Sequence, residues 1–128
     1  MKFVTNATGA PAAVGPYAQA VRAGETIYCS GQLPIDPATG ELLAGDMGDL
    51  TRRSIANLQA VLAAAGAGLA NVVKCTVFMT DLAEFPVMNA AYAELFGAHK
   101  PARSTIQVAA LPLGARLEIE AVAIISAD

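Results

Sequence analysis

Residues 101–126 read PARSTIQVAALPLGARLEIEAVAIIS, and their pattern sets how the rest of the chain must pack. Two strand-like runs, 103–109 and 115–125, flank the segment Leu111-Pro112-Leu113-Gly114, which carries the turn formers Pro and Gly. The first run opens on Arg103. The second alternates Glu118 and Glu120 with Leu117, Ile119 and Ala121. Charged side chains enter such apolar runs when they are paired or put to use. Alternation places Arg103, Thr105 and Gln107 on one face of their strand, and Glu118 and Glu120 on one face of the next. Half-polar faces of this kind pack poorly under a helix. They suit a subunit interface that encloses a polar pocket.

Upstream, the apolar run 72–79 predicts a strand, broken only by Lys74 and small polar residues. A helix is expected over about 84–96. Pro86 is tolerated in its first turn, Met88, Tyr92, Leu95 and Phe96 form its apolar face, and Gly97 ends it. A second helix is expected over 49–65, with Ile55, Leu58, Leu62 and Ala65 on one face and Gly66 as its stop. Residues 1–6, 17–21 and 26–30 read as strands. The last two are joined by a hairpin loop at 22–25, 7–16 is irregular, and 36–40 is a turn. The order β-β-β-α-β-α-β-β has too few crossovers for a doubly wound sheet. It predicts a single α+β domain over 1–128, with one mixed sheet and both helices on one face.

Composition narrows the function classes. The chain has 128 residues, of which 55% are apolar and only 15% charged, and its mean hydropathy is +0.48. That is more apolar surface than one core of this size hides, which predicts a symmetric homo-oligomer. The net charge is −3 and the one adjacent basic pair is Arg52-Arg53, which argues against nucleic acid as the main partner. Cys29 and Cys75 lie in apolar runs without CxxC spacing, and His99 is the single histidine. A Cys/His metal site is not supported, and both thiols are expected to be buried and reduced in a cytoplasmic protein. Lys2 is followed by FVTNATG, not by the apolar core of a signal peptide. Ser54 to Val73 lacks charge, but Asn57, Gln59, Gly66, Gly68 and Asn71 make it a poor membrane span.

The chemistry of the charged residues points to a small organic acid. An arginine fork holds a carboxylate at two points, and a partly desolvated glutamate can handle a proton or a water. The residues alone leave two readings open. Arg103 either binds a ligand or pairs with Glu118 or Glu120, and parity does not separate the two glutamates. Tyr17, after Gly15-Pro16, reads equally as a packed turn residue, and His99 reads as a solvated loop residue.

Four segments carry a resemblance as a set: GPYAQAV (15–21), YCSGQLPIDPATGEL (28–42), VVKCTVFMTDLAEFPVMNAAYAELF (72–96) and PARSTIQVAALPLGARLEIEAVA (101–123). Together they resemble the reactive intermediate deaminase family, the RidA or YjgF-type family, along nearly the whole chain. The resemblance implies a chorismate-mutase-like homotrimer with pockets between subunits and no cofactor. It also implies hydrolysis of 2-enamine and 2-imine acids, such as 2-iminobutanoate and 2-iminopropanoate, to 2-keto acids and ammonia. Carried over by position, Arg103 is the carboxylate-binding arginine. Glu118 positions or activates the water, and Tyr17 closes the pocket. Ser30, Gly31 and Asn89 line it. Many bacterial members carry a cysteine where this chain has Thr105, so Thr105 is expected as pocket wall and thiol oxidation at that position is excluded. Two other functions stay in view: a non-catalytic regulatory protein that binds small keto or amino acids, and an endoribonuclease or translation inhibitor.

Overall fold

A computed structural model describes residues 1–125. Ten regular elements follow in chain order. They are β1 (Lys2–Val4), β2 (Ala20–Ala23), β3 (Thr26–Gln32), β4 (Ile35–Asp36), β5 (Glu41–Leu42), α1 (Met47–Ala64), β6 (Val72–Met79), α2 (Phe85–Phe96), β7 (Ala102–Gln107) and β8 (Leu117–Ile124). The main sheet has six strands in the order β1-β2-β3-β8-β6-β7, and β4 and β5 form a separate short hairpin. All pairings in the main sheet are antiparallel except β6 with β7. That parallel pair needs a crossover, and α2 supplies it.

Both helices pack on one face of the sheet, as the element order predicts. Ile55, Leu58, Val61 and Leu62 of α1 and Met88 of α2 are fully buried, against Ile27, Val77, Met79, Leu117 and Ile119 of the strands. The Asp46 carboxylate caps α1 by accepting from the Asp49 N–H, so the helix starts two residues earlier than the apolar pattern alone suggests. Gly66, at φ +90°, ends it.

The other face of the sheet is half-covered at best. Phe3, Val21, Tyr28 and Val122 stand in one row across β1, β2, β3 and β8. Phe3 is 61% exposed and Tyr28 54%, and Ile106 and Ile124 are also exposed on this face.

Three expectations need correction. Residues 17–19 are not strand: Gly15 takes φ +134° and the Tyr17 N–H turns back to the Gly15 carbonyl at 3.0 Å, so extended pairing starts only at Ala20. The strands expected at 103–109 and 115–125 are shorter, because Leu113 adopts φ +61° in a tight turn over Pro112–Gly114. His99 is half-buried rather than solvated, and its Nε2–H donates to the Val72 carbonyl at 2.6 Å.

Candidate active site

Strand register divides the expected site residues into two groups. Arg103 stands beside Cys75, and Cys75 beside Ala121 and, one strand further, Cys29. Cys75 and Ala121 belong to the buried core, so this row faces the helices. Glu118 stands beside Phe78, one position out of phase with Ile119 and Val77. Its side chain therefore leaves the sheet on the face without helices. Within one protomer, Arg103 and Glu118 lie on opposite faces, and the expectation that both half-polar faces line one interface layer fails for Arg103. The cause is that β7 is an edge strand reached by the α2 crossover, so the face that alternation gives to Arg103 is the face α2 covers.

The Glu118 group lines a hollow of about 410 Å³ that includes Tyr17, Ser30, Gly31, Gln19 and Leu113. Gly31 lies where the β3–β8 register shifts between Cys29 and Gln32. A Cβ on Gly31 would stand 2.6 Å from Cδ and 2.9 Å from Oε1 of Glu118. The Glu118 carboxyl thus rests directly over the Gly31 backbone, in space that only glycine leaves free. Burial raises the Glu118 pKa above its ordinary value, and the neighbouring Glu120 charge raises it further. The group is set to hold or pass a proton more readily than a surface glutamate.

The wall of this hollow is stapled by polar side chains. Gln19, 2% exposed, accepts from the Ala7 N–H at 2.8 Å and donates to the Pro11 carbonyl at 2.7 Å. The Ser30 hydroxyl donates to the Ala18 carbonyl at 2.7 Å, which commits its proton to the backbone. Asn57 on α1 donates to the Leu33 and Ile35 carbonyls, fixing the far wall. Tyr17 stays 51% exposed at the mouth. Sequence reasoning missed Gln19 and Asn57. The signal for Gln19 was a polar residue in a run otherwise read as an apolar strand.

The Arg103 group lines a second hollow of about 350 Å³, shared with Asn89, Tyr92, Phe96, His99 and Lys100. The Arg103 guanidinium carbon lies 4.7 Å from the Tyr92 ring centroid and 5.6 Å from that of Phe85. Among the described residues Arg103 forms no ion pair, so the reading in which it pairs with Glu118 or Glu120 does not hold within the protomer. Thr105 follows on the same face of β7. It does not line the hollow, and its Oγ1 is buried without a hydrogen-bond partner. Burial also pushes the Cys29 thiol up to about 12, with a further contribution from Cys75, which makes it inert as a nucleophile. Among the described residues no cluster of three or more His, Cys, Asp or Glu side chains is placed to hold a metal, and no helix is long and apolar enough to cross a membrane.

The structure is a two-layer α+β fold, with Arg103 unpaired among the described residues on the helix side of its sheet and Glu118, its pKa raised by burial, on the other. Residues 7–125 match the family model described as Endoribonuclease L-PSP, and the chain belongs to this family, the YjgF/RidA family. A RutC family protein of Pyrococcus horikoshii is 47% identical over 123 residues, covering 96% of this chain and 98% of that one. The human 2-iminobutanoate/2-iminopropanoate deaminase is 46% identical over 124 residues, covering 97% and 90%. The crystal structure of Escherichia coli TdcF with bound serine superposes with a TM-score of 0.92 at 43% identity, covering 98% of this chain and all of that one.

Proposed function

We propose that this chain hydrolyses 2-imino and 2-enamino acids to 2-keto acids and ammonia, in pockets formed where the Arg103 face of one subunit meets the Glu118 face of another. The observation that carries the reading is the split itself: a guanidinium with no ion pair among the described residues and a carboxyl whose pKa burial raises, each in its own hollow, on opposite faces of one sheet. A ring of copies placed head to tail would join each fork to a neighbour's carboxyl. The apolar row through Phe3, Val21, Tyr28 and Val122 supports a partner copy on the open face, and the resemblance supports a trimer. The 46% identity to a protein named as a 2-iminobutanoate/2-iminopropanoate deaminase supports the reaction class.

The chemistry asks little of the protein. An enamine first gains a proton at carbon and becomes an iminium. Water adds to the iminium carbon with loss of a proton, the nitrogen of the resulting carbinolamine takes a proton, and ammonia leaves as the hydroxyl gives up its own proton and the C=O bond forms. Arg103 holds the carboxylate and fixes the face presented to water. Glu118 orients that water, takes its proton and returns it to the leaving nitrogen, a role worth ~10²–10⁴-fold. Tyr17 at the mouth and Asn89 beside Arg103 complete the enclosure.

The test couples a threonine dehydratase to semicarbazide, which traps escaping imine as a semicarbazone. Wild-type protein should suppress the semicarbazone and Arg103→Ala should not. Unchanged semicarbazone with wild type would end the deaminase reading. A second reading is favoured by the serine bound to TdcF: a non-catalytic binder of small amino or keto acids. Glu118→Gln separates the two, since an enzyme loses turnover there while keeping 2-ketobutyrate binding. The endoribonuclease named in the family description has less support. The chain is acidic, and its one histidine is tied to the Val72 carbonyl.

A further inference from the structure

The α2 stripe Phe85, Asn89, Tyr92, Phe96 recurs at helical spacing and faces β7. Two of its rings, Tyr92 and Phe85, lie 4.7 and 5.6 Å from the Arg103 guanidinium carbon, within cation–π range. Tyr92 in turn stacks on Phe96, with centroids 4.6 Å apart and planes inclined by 30°. Tyr92 is 7% exposed, and its hydroxyl is buried with no well-formed hydrogen bond. Burial raises the Tyr92 pKa, the Cys75 thiol beside it adds to this, and Arg103 opposes it. Tyr92 thus offers Arg103 its ring, itself packed on Phe96, rather than a hydroxyl. No carboxylate or carbonyl among the described residues occupies the guanidinium edge. A stacked arginine keeps its N–H edge open to a planar carboxylate while losing the rotamer freedom that binding would otherwise have to freeze.

We propose that Phe85 and Tyr92 are positioning residues, whose rings lock Arg103 into the orientation in which its free edge meets the substrate carboxylate. The proposal rests on the carboxylate role given to Arg103 above. It separates ring from hydroxyl at Tyr92, because only the ring supports the guanidinium. It also assigns Phe85, half-buried against the core at the start of α2, a function beyond packing.

The test uses the intact protein and four variants: Tyr92→Phe, Tyr92→Leu, Phe85→Leu and Arg103→Ala. Tyr92→Phe should keep the wild-type KM. Tyr92→Leu and Phe85→Leu should each raise KM roughly tenfold with kcat within about threefold, the split expected when ground-state and transition-state binding fall together. Phe85→Leu keeps the test open if Tyr92→Leu fails to fold. Proton NMR gives a readout independent of activity: ring currents should shift the Arg103 Hδ and Hε resonances upfield in wild type and Tyr92→Phe, and that shift should shrink in Tyr92→Leu. Wild-type KM in both leucine variants, or equal damage from Tyr92→Phe and Tyr92→Leu, would overturn the proposal. If Arg103→Ala abolishes binding while the leucine variants do not, the ring proposal alone falls. If Arg103→Ala is silent, the carboxylate reading falls and takes the ring proposal with it.

Discussion

Arg103 and Glu118 are both charges set in apolar strands, yet the fold treats them in opposite ways. Arg103 is on the helix side, close to two aromatic rings, and forms no ion pair among the described residues. Glu118 is on the open side, laid over a glycine and pushed toward its protonated form. Braced rings keep a permanent charge in place, since arginine does not titrate. A glycine floor and a desolvated wall tune a group that must change charge. The difference fits the proposal that each group is prepared for a separate task and that the two meet only between subunits.

The sharpest way to break this comparison is complementation. Arg103→Ala and Glu118→Ala should each fall below about a hundredth of wild-type turnover. Mixed and reassembled, they should recover activity, because random assortment leaves roughly a quarter of inter-subunit pockets with both groups intact. Silent mixtures, with subunit exchange verified by native mass spectrometry, would mean that the two halves never meet. A narrower test acts on one half. Gly31→Ala should displace the Glu118 carboxyl and lower kcat about 10²-fold. The displaced atoms are the far end of a flexible side chain, so Tm should move by less than about 3 °C. Full activity in Gly31→Ala would deny that the glycine floor sets the carboxyl.

How far the sequence could be read follows the same division. The strand at 72–79, both helices and the sheet with helices on one face were legible because each rests on a local period that packing reinforces. Arg103 and Glu118 stood out as charges in apolar runs. Their placement on opposite faces was not legible, because parity within a strand says nothing about which face a crossover helix will cover. The Gly31–Glu118 contact joins residues far apart in the chain through a register shift that no local pattern records. Tyr92 and Phe96 looked like ordinary core, and only the position of β7 turns part of that core into a support for Arg103.

The staples of the Glu118 wall should matter next, through stability more than rate. Gln19→Leu would leave the Ala7 N–H and the Pro11 carbonyl without their partner, at a cost of about 1–3 kcal/mol. Urea unfolding measures it. An unchanged midpoint would show that segment 7–18 is held by other contacts.

The smallest effect expected is a shift in pH dependence, and its sign is fixed by the two glutamates. Glu118 has a folded-state pKa above its ordinary value, from burial first and from Glu120 second. The folded chain therefore binds that proton more tightly than the unfolded chain does. The stability this contributes is fully present below the ordinary carboxylate range and is lost as pH rises through the raised value. Glu118→Gln should flatten that part of the stability curve. For catalysis the ionised form is the one that accepts a proton from water, so the acid limb of kcat/KM should follow the same raised pKa. Glu120→Gln removes the second cause and leaves the first, so it should move the acid limb to lower pH without abolishing activity. Tyr92→Phe, on the Arg103 face, should leave that limb where it is. A limb that stays in place in Glu120→Gln, or moves upward, would show that the working proton does not belong to Glu118.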